Sequence, residues 1–235
     1  MKIGLLSIII TYYNRRQLLI NTLDSILKYT RDDFPIEIII VDDGSSREHS
    51  ILDIREKYPS LNINLIVLRN KQRRNPTNSY NTGFNVASGD VFLINCAECM
   101  HMGDILGYIF KNFSSNDYFT FSTLRGVKDH TDKYEWNLHS TLYNIIPYCA
   151  AISRTNMELL SGYDERFVNG IGFDDYEFTD RIYNAGINPT IINDPFCIHQ
   201  WHEPTQYTNY SNRDFLFQLR QDDKYRIKAK HNTIY

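Results

Sequence analysis

The chain has 235 residues, of which 42% are hydrophobic, so it is long enough for one large α/β domain or two small ones around a sizeable core. Its formal net charge is −3 and its isoelectric point is near 6.2, so it lacks the basic excess that binds nucleic acids and anionic membrane surfaces. No window approaches the run of about 18 apolar residues that marks a transmembrane helix. We therefore expect one main domain, soluble and cytoplasmic, without nucleic-acid partners and without a transmembrane segment.

The first half of the chain alternates between apolar runs and amphipathic segments. The run "IGLLSIIIT" is similar to the apolar part of a signal peptide, but it lacks a small-residue cleavage site and predicts a first strand. A leucine-rich helical stripe follows in "QLLINTLDSILKYT". Two further strands are predicted in "IEIIIVDDGSS" and "NINLIVLRN", separated by a helix in "HSILDIREKY". This β-α-β-α-β order predicts a parallel sheet with right-handed crossovers.

The pattern continues into the second half and weakens between residues 116 and 144. We predict a helix in "SYNTGFNVAS", a strand in "GDVFLINCAEC", a helix over 103–113, a strand in "NDYFTFSTLRG", a strand and a helix in "CAAISRTNMELLSGYDERF", a helix in "DYEFTDRIYNAG" closed by Gly186, a strand that ends near His199, and a charged helix from Arg213 to Lys230. There is no linker and no internal repeat. The predicted fold class is α/β, a single domain with a mostly parallel central sheet flanked by helices.

The cysteines, at positions 96, 99, 149 and 197, fit neither a disulfide framework nor a closed zinc site. Cys96 and Cys99 have C-x-x-C spacing, but this motif ends a predicted strand, whereas redox motifs of this kind open a helix. We therefore expect neither zinc binding nor redox chemistry from this pair.

Acidic residues follow the predicted strands in "VDDGSS" and "NCAEC" and, after a crossover, in "FDDYEF". Because the carboxyl ends of parallel strands meet at one edge of a sheet, we expect these carboxylates to converge there. Clustered carboxylates repel one another unless positive charge lies between them, which argues for a metal ion or a basic ligand, and a divalent cation in turn suits a substrate with a diphosphate. Each motif also has a structural explanation, since Asp, Gly and Ser favour turns and helix caps and Glu98 could be a solvated loop acid.

The order and spacing of these motifs resemble glycosyltransferase family 2, whose members have the Rossmann-like GT-A fold. The similar segments are "LSIIITYYNRRQLLINTLDSIL", "IEIIIVDDGSS", "NSYNTGFNVASGDVFLINCAEC" and "SGYDERFVNGIGFDDYEFTDRIYNAG", which together span about residues 1–200. The resemblance implies an inverting glycosyltransferase of the hexosyltransferase type. Such an enzyme transfers a sugar from a nucleotide-diphosphate donor, here expected to be a UDP-sugar, to a hydroxyl of an acceptor glycan, protein or small molecule.

The resemblance also implies a division of the chain. The GT-A domain would cover residues 1–212, with a nucleotide-binding half at 1–100 and an acceptor half at 101–212. A C-terminal helical tail would follow at 213–235.

The resemblance assigns one group of residues to the nucleotide-sugar donor. Asp43 matches the acid that reads the base, and a carboxylate that accepts from an imide N–H and a ribose hydroxyl favours uracil. Asn81 matches a helix residue beside the donor site, where packing is an equally good explanation. The implied donor-binding residues are Thr11, Tyr12, Asn14, Asp42, Asp43 and Asn81.

The resemblance assigns Glu98 to a metal ion. The family usually carries Asp-x-Asp at this strand end, and here Cys96 stands in the place of the first acid and Glu98 in that of the second, the direct ligand. The pattern "N-x-x-E-C" followed by "H-x-G-D" is similar to a subset of the family with Asn and Glu at the site. His199 matches a further ligand, with His202 as the alternative and a packing role open for either. We expect Mn²⁺ or Mg²⁺, held more weakly because of Cys96.

The acceptor side is assigned to the segment around "FDDYEF". Asp175 matches the general base that takes the proton from the acceptor hydroxyl, while Asp174 at the start of the same helix could equally be a cap. Gly172 permits a close backbone approach or a tight turn. Trp136 and Trp201 could stack on sugar rings or pack in the core.

A catalytically impaired nucleotide-sugar-binding or scaffold protein of the same fold is the alternative. The incomplete acid pair in "CAE" favours this alternative, and Asp175 favours an enzyme. A nucleotidyltransferase would share the α/β layout, but the phosphate-binding "G-x-G-x-R" loop expected after its first strand is missing from the sequence.

Overall fold

The computed structural model describes residues 1–68, 75–130, 133–135, 146–203 and 211–229. These residues form a nine-stranded sheet with helices on both faces. The strands are β1 (Leu6–Tyr12), β2 (Ile36–Asp42), β3 (Ile63–Val67), β4 (Val91–Cys96), β5 (Cys99–Met102), β6 (Asp117–Gly126), β7 (Tyr134–Glu135), β8 (Cys149–Ser153) and β9 (Asn188–His199). The helices are α1 (Arg16–Leu27), α2 (Ile54–Lys57), α3 (Thr77–Val86), α4 (Ile105–Asn112), α5 (Arg154–Leu160), α6 (Asp174–Asn184) and α7 (Ser211–Asp222).

The sheet is mixed but mostly parallel. Its strand order is β3-β2-β1-β4-β8-β6-β9-β5, with β7 paired to β6. Strands β3, β2, β1 and β4 are parallel neighbours, β6 and β9 run in the same direction, and β8, β5 and β7 run against them. The carboxyl ends of β1, β2 and β4 therefore lie side by side at one edge, which is where α/β sheets bind their ligands. The predicted α/β fold class is confirmed.

Alternate residues of β1 serve two hydrophobic cores. Ile8 and Ile10 face the core beneath α1 and α4, whereas Ile9 faces the core beneath α3, α5 and α6. This is why the middle of the strand, from Ile8 to Ile10, is apolar on both faces of the sheet. Helix α3 comes especially close to the sheet at Gly83, because a Cβ atom there would lie 2.5 Å from the Ile9 side chain.

Three predicted elements differ from the structure. The helix predicted in "HSILDIREKY" is only a 3₁₀ turn at Arg47–His49 and the single turn of α2, because Ile51, Ile54 and Tyr58 are the only side chains of this segment in the core. The tail helix is Ser211–Asp222, shorter than predicted and shifted toward the N-terminus. The strand predicted to reach Cys99 ends at Cys96, because its ladder with β1 ends there and Cys99 begins β5 instead.

Helix α7 packs against the segment that leads into α6. Leu216 and Leu219 form a small core with Phe167. The Asn212 amide donates hydrogen bonds to the backbone oxygens of Phe167 (2.9 Å) and Gly172 (2.8 Å). The division of the chain at residues 212 and 213 stays a prediction, and this packing fastens the start of α7 to the loop before α6.

A buried ion-pair network joins the same region to the end of the described chain. Glu177 accepts hydrogen bonds from Arg181 (2.8 Å) and Arg226 (3.1 Å), and all three side chains are almost fully buried. Since removal of one partner would leave a buried charge uncompensated, the network ties α6 firmly to residues 223–226. As for the membrane, none of the helices within the described residues combines the length and apolar character of a bilayer-spanning segment.

Candidate active site

A cavity of about 680 Å³ opens at the carboxyl edge of β1, β2 and β4 and reaches the start of α6. It brings together residues that are far apart in the sequence. The predicted site residues that line it are Thr11, Tyr12, Asp43, Glu98, Gly172, Asp174, Asp175, His199, Trp201 and His202. Asn14, Asp42 and Asn81 are described but do not line it, and Trp136 lies outside the described residues.

Asp43 follows β2 directly and is 3% exposed, with its side chain on the cavity wall. Its backbone N–H donates to the Tyr12 carbonyl (2.9 Å), so the loops after β1 and β2 are joined at this point. Asp42 accepts from the backbone N–H of Ser45 (2.9 Å) and holds the turn. Burial, together with the nearby Asp42 charge, raises the pKa of Tyr12 to about 12, so this phenol stays neutral, and its hydroxyl donates to the His49 backbone oxygen (2.6 Å).

Asn14 supports the same turn from the β1 side. It adopts a left-handed backbone conformation with φ of 54°, and its Oδ1 accepts from the backbone N–H of Ser46 (2.8 Å). Its own N–H donates to Ser45 Oγ (3.0 Å). The structure thus places Asn14 and Asp42 beneath the cavity wall that carries Asp43, and their contact with a donor stays a prediction.

Glu98 lies in the short turn between β4 and β5 and is 8% exposed. Its Oε1 forms an ion pair with Arg15, which immediately precedes α1. Burial raises the pKa of Glu98, but the charges of Arg15, His199 and His202 outweigh burial, and the pKa lies below its usual value. Glu98 is therefore a carboxylate throughout the neutral range.

His199 and His202 lie beside this turn at the end of β9. The backbone N–H of Gln200 donates to the Glu98 carbonyl (2.9 Å), which fixes the two segments together. The two imidazole rings have centroids 5.2 Å apart, and Tyr148 contacts His199 edge-on at 5.5 Å.

This donor set fits a divalent cation in its chemistry. One carboxylate and imidazole nitrogens are suitable ligands for Mn²⁺, although Arg15 already occupies one oxygen of Glu98. Among the described residues, the one compact group of metal-ligating side chains lies elsewhere, at His101, Cys149 and Cys197. A cation held by Glu98 and His199 would therefore need further oxygens, which a diphosphate can supply. Ligation by these residues stays a prediction.

Asp174 and Asp175 begin α6 after Phe173, whose φ of 67° turns the chain into the helix. Asp174 is buried and accepts from the Asn75 amide (2.6 Å). Burial, followed by the neighbouring charge of Asp174, raises the pKa of Asp175 to about 7, against the backbone N–H of Tyr176, which lowers it. A carboxyl with this pKa, on a cavity wall, can take up a proton near neutral pH.

The remaining predicted residues have defined places. Gly172 has φ of 65° and open space around a notional Cβ, so the turn, rather than crowding, requires glycine. Trp201 lines the cavity with the Lys128 ammonium 4.7 Å from its ring centroid. Asn81 is fully buried and exchanges hydrogen bonds with the Tyr163 backbone, accepting at 2.8 Å and donating at 2.9 Å. These bonds give Asn81 a structural role, and donor binding by it stays a prediction.

Two residues that pair with acids of the site were not predicted. Arg15 stands in "NRR" directly after the first strand, where a cation near the strand ends was a usable signal. Asn75 precedes α3 in an Asn-Pro pair, which indicates a turn but not the contact with Asp174 across 99 positions.

A parallel half-sheet, an acid in the turn after β4 and an acid pair at the start of α6, around one cavity, are the features of the class of GT-A fold glycosyltransferases. A more specific family within this class also includes the chain. The family model for glycosyl transferase family 2 matches residues 7–172, and the chain is a member of that family. The resemblance seen in the sequence is confirmed.

Curated relatives carry related names. The chain is 27% identical over 152 residues to putative polypeptide N-acetylgalactosaminyltransferase 13 of Drosophila melanogaster. It is 30% identical over 131 residues to human polypeptide N-acetylgalactosaminyltransferase 10. These alignments cover 57% and 55% of this chain but 27% and 22% of the relatives. The chain thus matches about a quarter of the length of these proteins.

Solved structures support the fold. Residues 1–349 of S. aureus TarS in complex with UDP-GlcNAc superpose with a TM-score of 0.71 at 18% identity, covering 92% of this chain and 64% of that one. The mannosyltransferase PcManGT from Pyrobaculum calidifontis, in complex with GDP-Man and Mn²⁺, gives a TM-score of 0.61 at 18% identity, covering 92% and 60%. At these identities the likeness concerns the fold.

Proposed function

We propose that the chain transfers a sugar from a UDP-sugar to an acceptor hydroxyl with inversion at the anomeric carbon. The observation that carries this proposal is the single cavity that has a permanently ionised acid, Glu98 beside Arg15, and an acid of near-neutral pKa, Asp175, on its walls. Two acids whose surroundings shift their pKa values in opposite directions are typical of sites that need one fixed charge and one proton acceptor.

The nucleotide would bind at the β1 and β2 ends of the cavity. Asp43 would accept from the imide N–H of uracil and a ribose hydroxyl, and Tyr12, kept neutral by its raised pKa, would line the same wall. The Arg15 guanidinium lies on this side and can donate to phosphate oxygens. Glu98 and His199 would hold Mn²⁺ or Mg²⁺, which when bound supplies positive charge to the departing diphosphate.

Asp175 would act as general base. As the acceptor oxygen attacks the anomeric carbon, Asp175 takes its proton and the UDP leaves from the opposite side, so the configuration inverts. Asp174 cannot share this role on equal terms, because the Asn75 amide holds its carboxylate. The neighbouring Asp174 charge instead raises the pKa of Asp175.

A thermal-shift panel of UDP- and GDP-sugars, each with Mn²⁺ and with chelator, tests the donor. The names of the relatives and of the TarS complex favour UDP-GalNAc and UDP-GlcNAc as the first donors to try, with peptides and glycans as acceptors. A UDP-sugar should raise the melting temperature, because a ligand that binds only the native state stabilises it. A larger rise with GDP-sugars, or none with any donor, would contradict the proposal.

The variant Asp43→Ala tests whether Asp43 recognises the nucleobase of the donor. The affinity for UDP should fall by at least about 1 kcal/mol, or roughly fivefold, the scale of a lost hydrogen bond to a charged group. Asp53→Ala is a matched control on the surface, because its carboxylate pairs with Arg16 outside the cavity. Equal UDP affinity of the Asp43→Ala variant and the wild type, measured by calorimetry on folded protein, would remove Asp43 from the site.

A nucleotide-sugar-binding protein without transferase activity is the second candidate. Cys96, which lines the cavity where the family usually has an acid, favours it. Donor hydrolysis and transfer to surrogate acceptors distinguish the two candidates, since only an enzyme turns the donor over.

A further inference from the structure

Outside the cavity lining, three strands bring metal-ligating side chains together. His101 of β5, Cys149 of β8 and Cys197 of β9 have ligand atoms that all lie within 4.8 Å of one another. We call these three residues the thiol-imidazole cluster. His101 is directly opposite Cys197 in the β5–β9 ladder, so two members are fixed by strand register. All three are buried, with exposures of 3%, 0% and 0%.

The protonation state of His101 follows from its neighbour Asn95. The Asn95 amide nitrogen donates to the backbone oxygens of Cys96 (2.9 Å) and Cys99 (3.1 Å), so its Oδ1 is the atom that faces His101 Nε2 at 3.0 Å. Because Oδ1 can only accept, Nε2 carries the proton. Nδ1 is then left with a free lone pair, and it is buried without a hydrogen-bond partner among the described residues.

This arrangement is the one found around metal-bound histidines. Such a histidine donates its second ring N–H to a carbonyl or carboxylate oxygen, which fixes the tautomer and the ring orientation. An orphaned buried nitrogen is costly unless something binds it. The two cysteines, the other members of the cluster, could share a metal ion with this nitrogen.

The cysteines offer the right charge. A metal ion binds cysteine as the thiolate, so Cys149 and Cys197 would each lose a proton on binding and supply one negative charge. The two negative charges of two thiolates, with a neutral imidazole, equal the charge of a divalent cation. A buried complex would then carry no net charge and would avoid the large cost of burying a charge. Thiolate and imidazole select soft metals such as Zn²⁺ over Mg²⁺ or Mn²⁺.

We propose that His101, Cys149 and Cys197 bind a Zn²⁺ ion through one imidazole nitrogen and two thiolates. Cys99, which is fully buried and precedes His101 by two residues on the same face of β5, lies outside this ligand set. The site differs in position and in ligand chemistry from the one at Glu98. Its position suggests its role, because Asn95 and Cys99 flank the turn that carries Glu98, and a bound ion would stiffen that turn.

Metal content tests the proposal directly. Protein purified under reducing conditions without chelator should contain about one Zn²⁺ per chain by mass spectrometry of the metal. The variants Cys149→Ala and Cys197→Ala should lose most of it. Cys96→Ala and Glu98→Gln are matched controls that should keep it, because neither side chain belongs to the cluster. Wild-type protein that remains free of zinc after incubation with Zn²⁺ would overturn the proposal, and so would controls that lose zinc as the cluster variants do.

Cobalt substitution provides a readout that does not require the variants to fold. Co²⁺ bound by thiolates gives sulfur-to-metal charge-transfer absorption, which oxygen and nitrogen ligands at Glu98 and His199 cannot produce. The wild-type protein should show these bands with one equivalent of Co²⁺ and lose them when Zn²⁺ is added. Binding of Co²⁺ without the bands would exclude the cysteines as ligands.

Discussion

Glu98 and Asp175 are two acids on the wall of one cavity, and their surroundings have opposite effects. Arg15, His199 and His202 surround Glu98 with positive charge and lower its pKa despite burial. Asp175 has no cation among the causes of its shift, and burial with the Asp174 charge raises its pKa to about 7. Cations therefore lie around the acid in the turn after β4, and none contributes to the shift of Asp175, which is why the two pKa values move in opposite directions.

The largest expected effect comes from Asp175→Asn, which keeps the size of the side chain and removes the proton acceptor. Transfer should fall by roughly 10² to 10⁴, while the affinity for the UDP-sugar changes little. Asp174→Asn is the matched control and should cost distinctly less, because successive helical residues point about 100° apart and Asn75 already holds Asp174.

Both variants are to be measured for transfer to a surrogate acceptor and for donor affinity by calorimetry. Transfer by Asp175→Asn at close to the wild-type rate would end the general-base assignment. It would also leave the nucleotide-sugar-binding candidate ahead.

The second-largest effect is expected from Glu98→Gln, which removes the carboxylate that stays ionised in the turn after β4. If Glu98 holds a metal, UDP-sugar affinity in Mn²⁺ should fall by about tenfold or more, the scale of a lost interaction with a charged group. The affinities in Mn²⁺ and in chelator should then become equal. Tighter donor binding in chelator would instead mean that Glu98 only restrains Arg15, which is released to bind the diphosphate.

The pH dependence of transfer should reflect the raised pKa of Asp175. A general base works when ionised, so kcat/KM should rise by about tenfold between pH 6 and pH 8 and level off above the pKa near 7. Asp174→Asn should move this rise to lower pH, because it removes the like charge that raises the pKa of Asp175. An unchanged profile in Asp174→Asn would show that the two carboxyls do not interact.

The smallest effect is on stability, and its sign should differ between the two acids. The raised pKa of Asp175 gives stability that is present below the unfolded pKa and lost as pH rises through about 7, so Asp175→Asn should gain stability relative to wild type at pH 8. The lowered pKa of Glu98 gives stability that is present above the unfolded pKa, so Glu98→Gln should lose stability there.

Melting temperatures at pH 5 and pH 8 check both signs. Shifts of about 2–4 °C, which correspond to about 1 kcal/mol in a protein of this size, are expected. Changes of the same sign in the two variants would contradict the opposed electrostatics.

The parallel half of the fold could be predicted because its signals are local. β1 and β2 contain the continuous apolar runs Ile8–Ile10 and Ile38–Val41, and α1 has one continuous leucine-rich stripe, so period and composition suffice. The turn after Cys96 could not be predicted, because no Gly or Pro interrupts the run from Val91 to Cys99 while its hydrogen-bonding partner changes from β1 to β9.

The same limit applies to the site. The acids themselves were visible as residues that follow strands, but the Arg15–Glu98 pair joins positions 83 apart, and the pKa of Asp175 depends on burial that only the folded chain defines. The cysteines were judged by their spacing, and the register of β5 against β9, which sets His101 beside Cys197, leaves no mark in that spacing.

The hold of Asn212 on the loop before α6 has an entropic consequence. Glycines at 170 and 172 give this loop more backbone freedom than other residues would. The Asn212 amide nevertheless holds the loop by hydrogen bonds to the backbone oxygens of Phe167 and Gly172. Asn212 packs so closely that a Cβ at Gly170 would lie 2.0 Å from the Asn212 side-chain oxygen. A wall that is already ordered loses little conformational entropy when a ligand arrives. Helix α7, though it does not line the cavity, thereby makes the approach to Asp175 a preorganised surface.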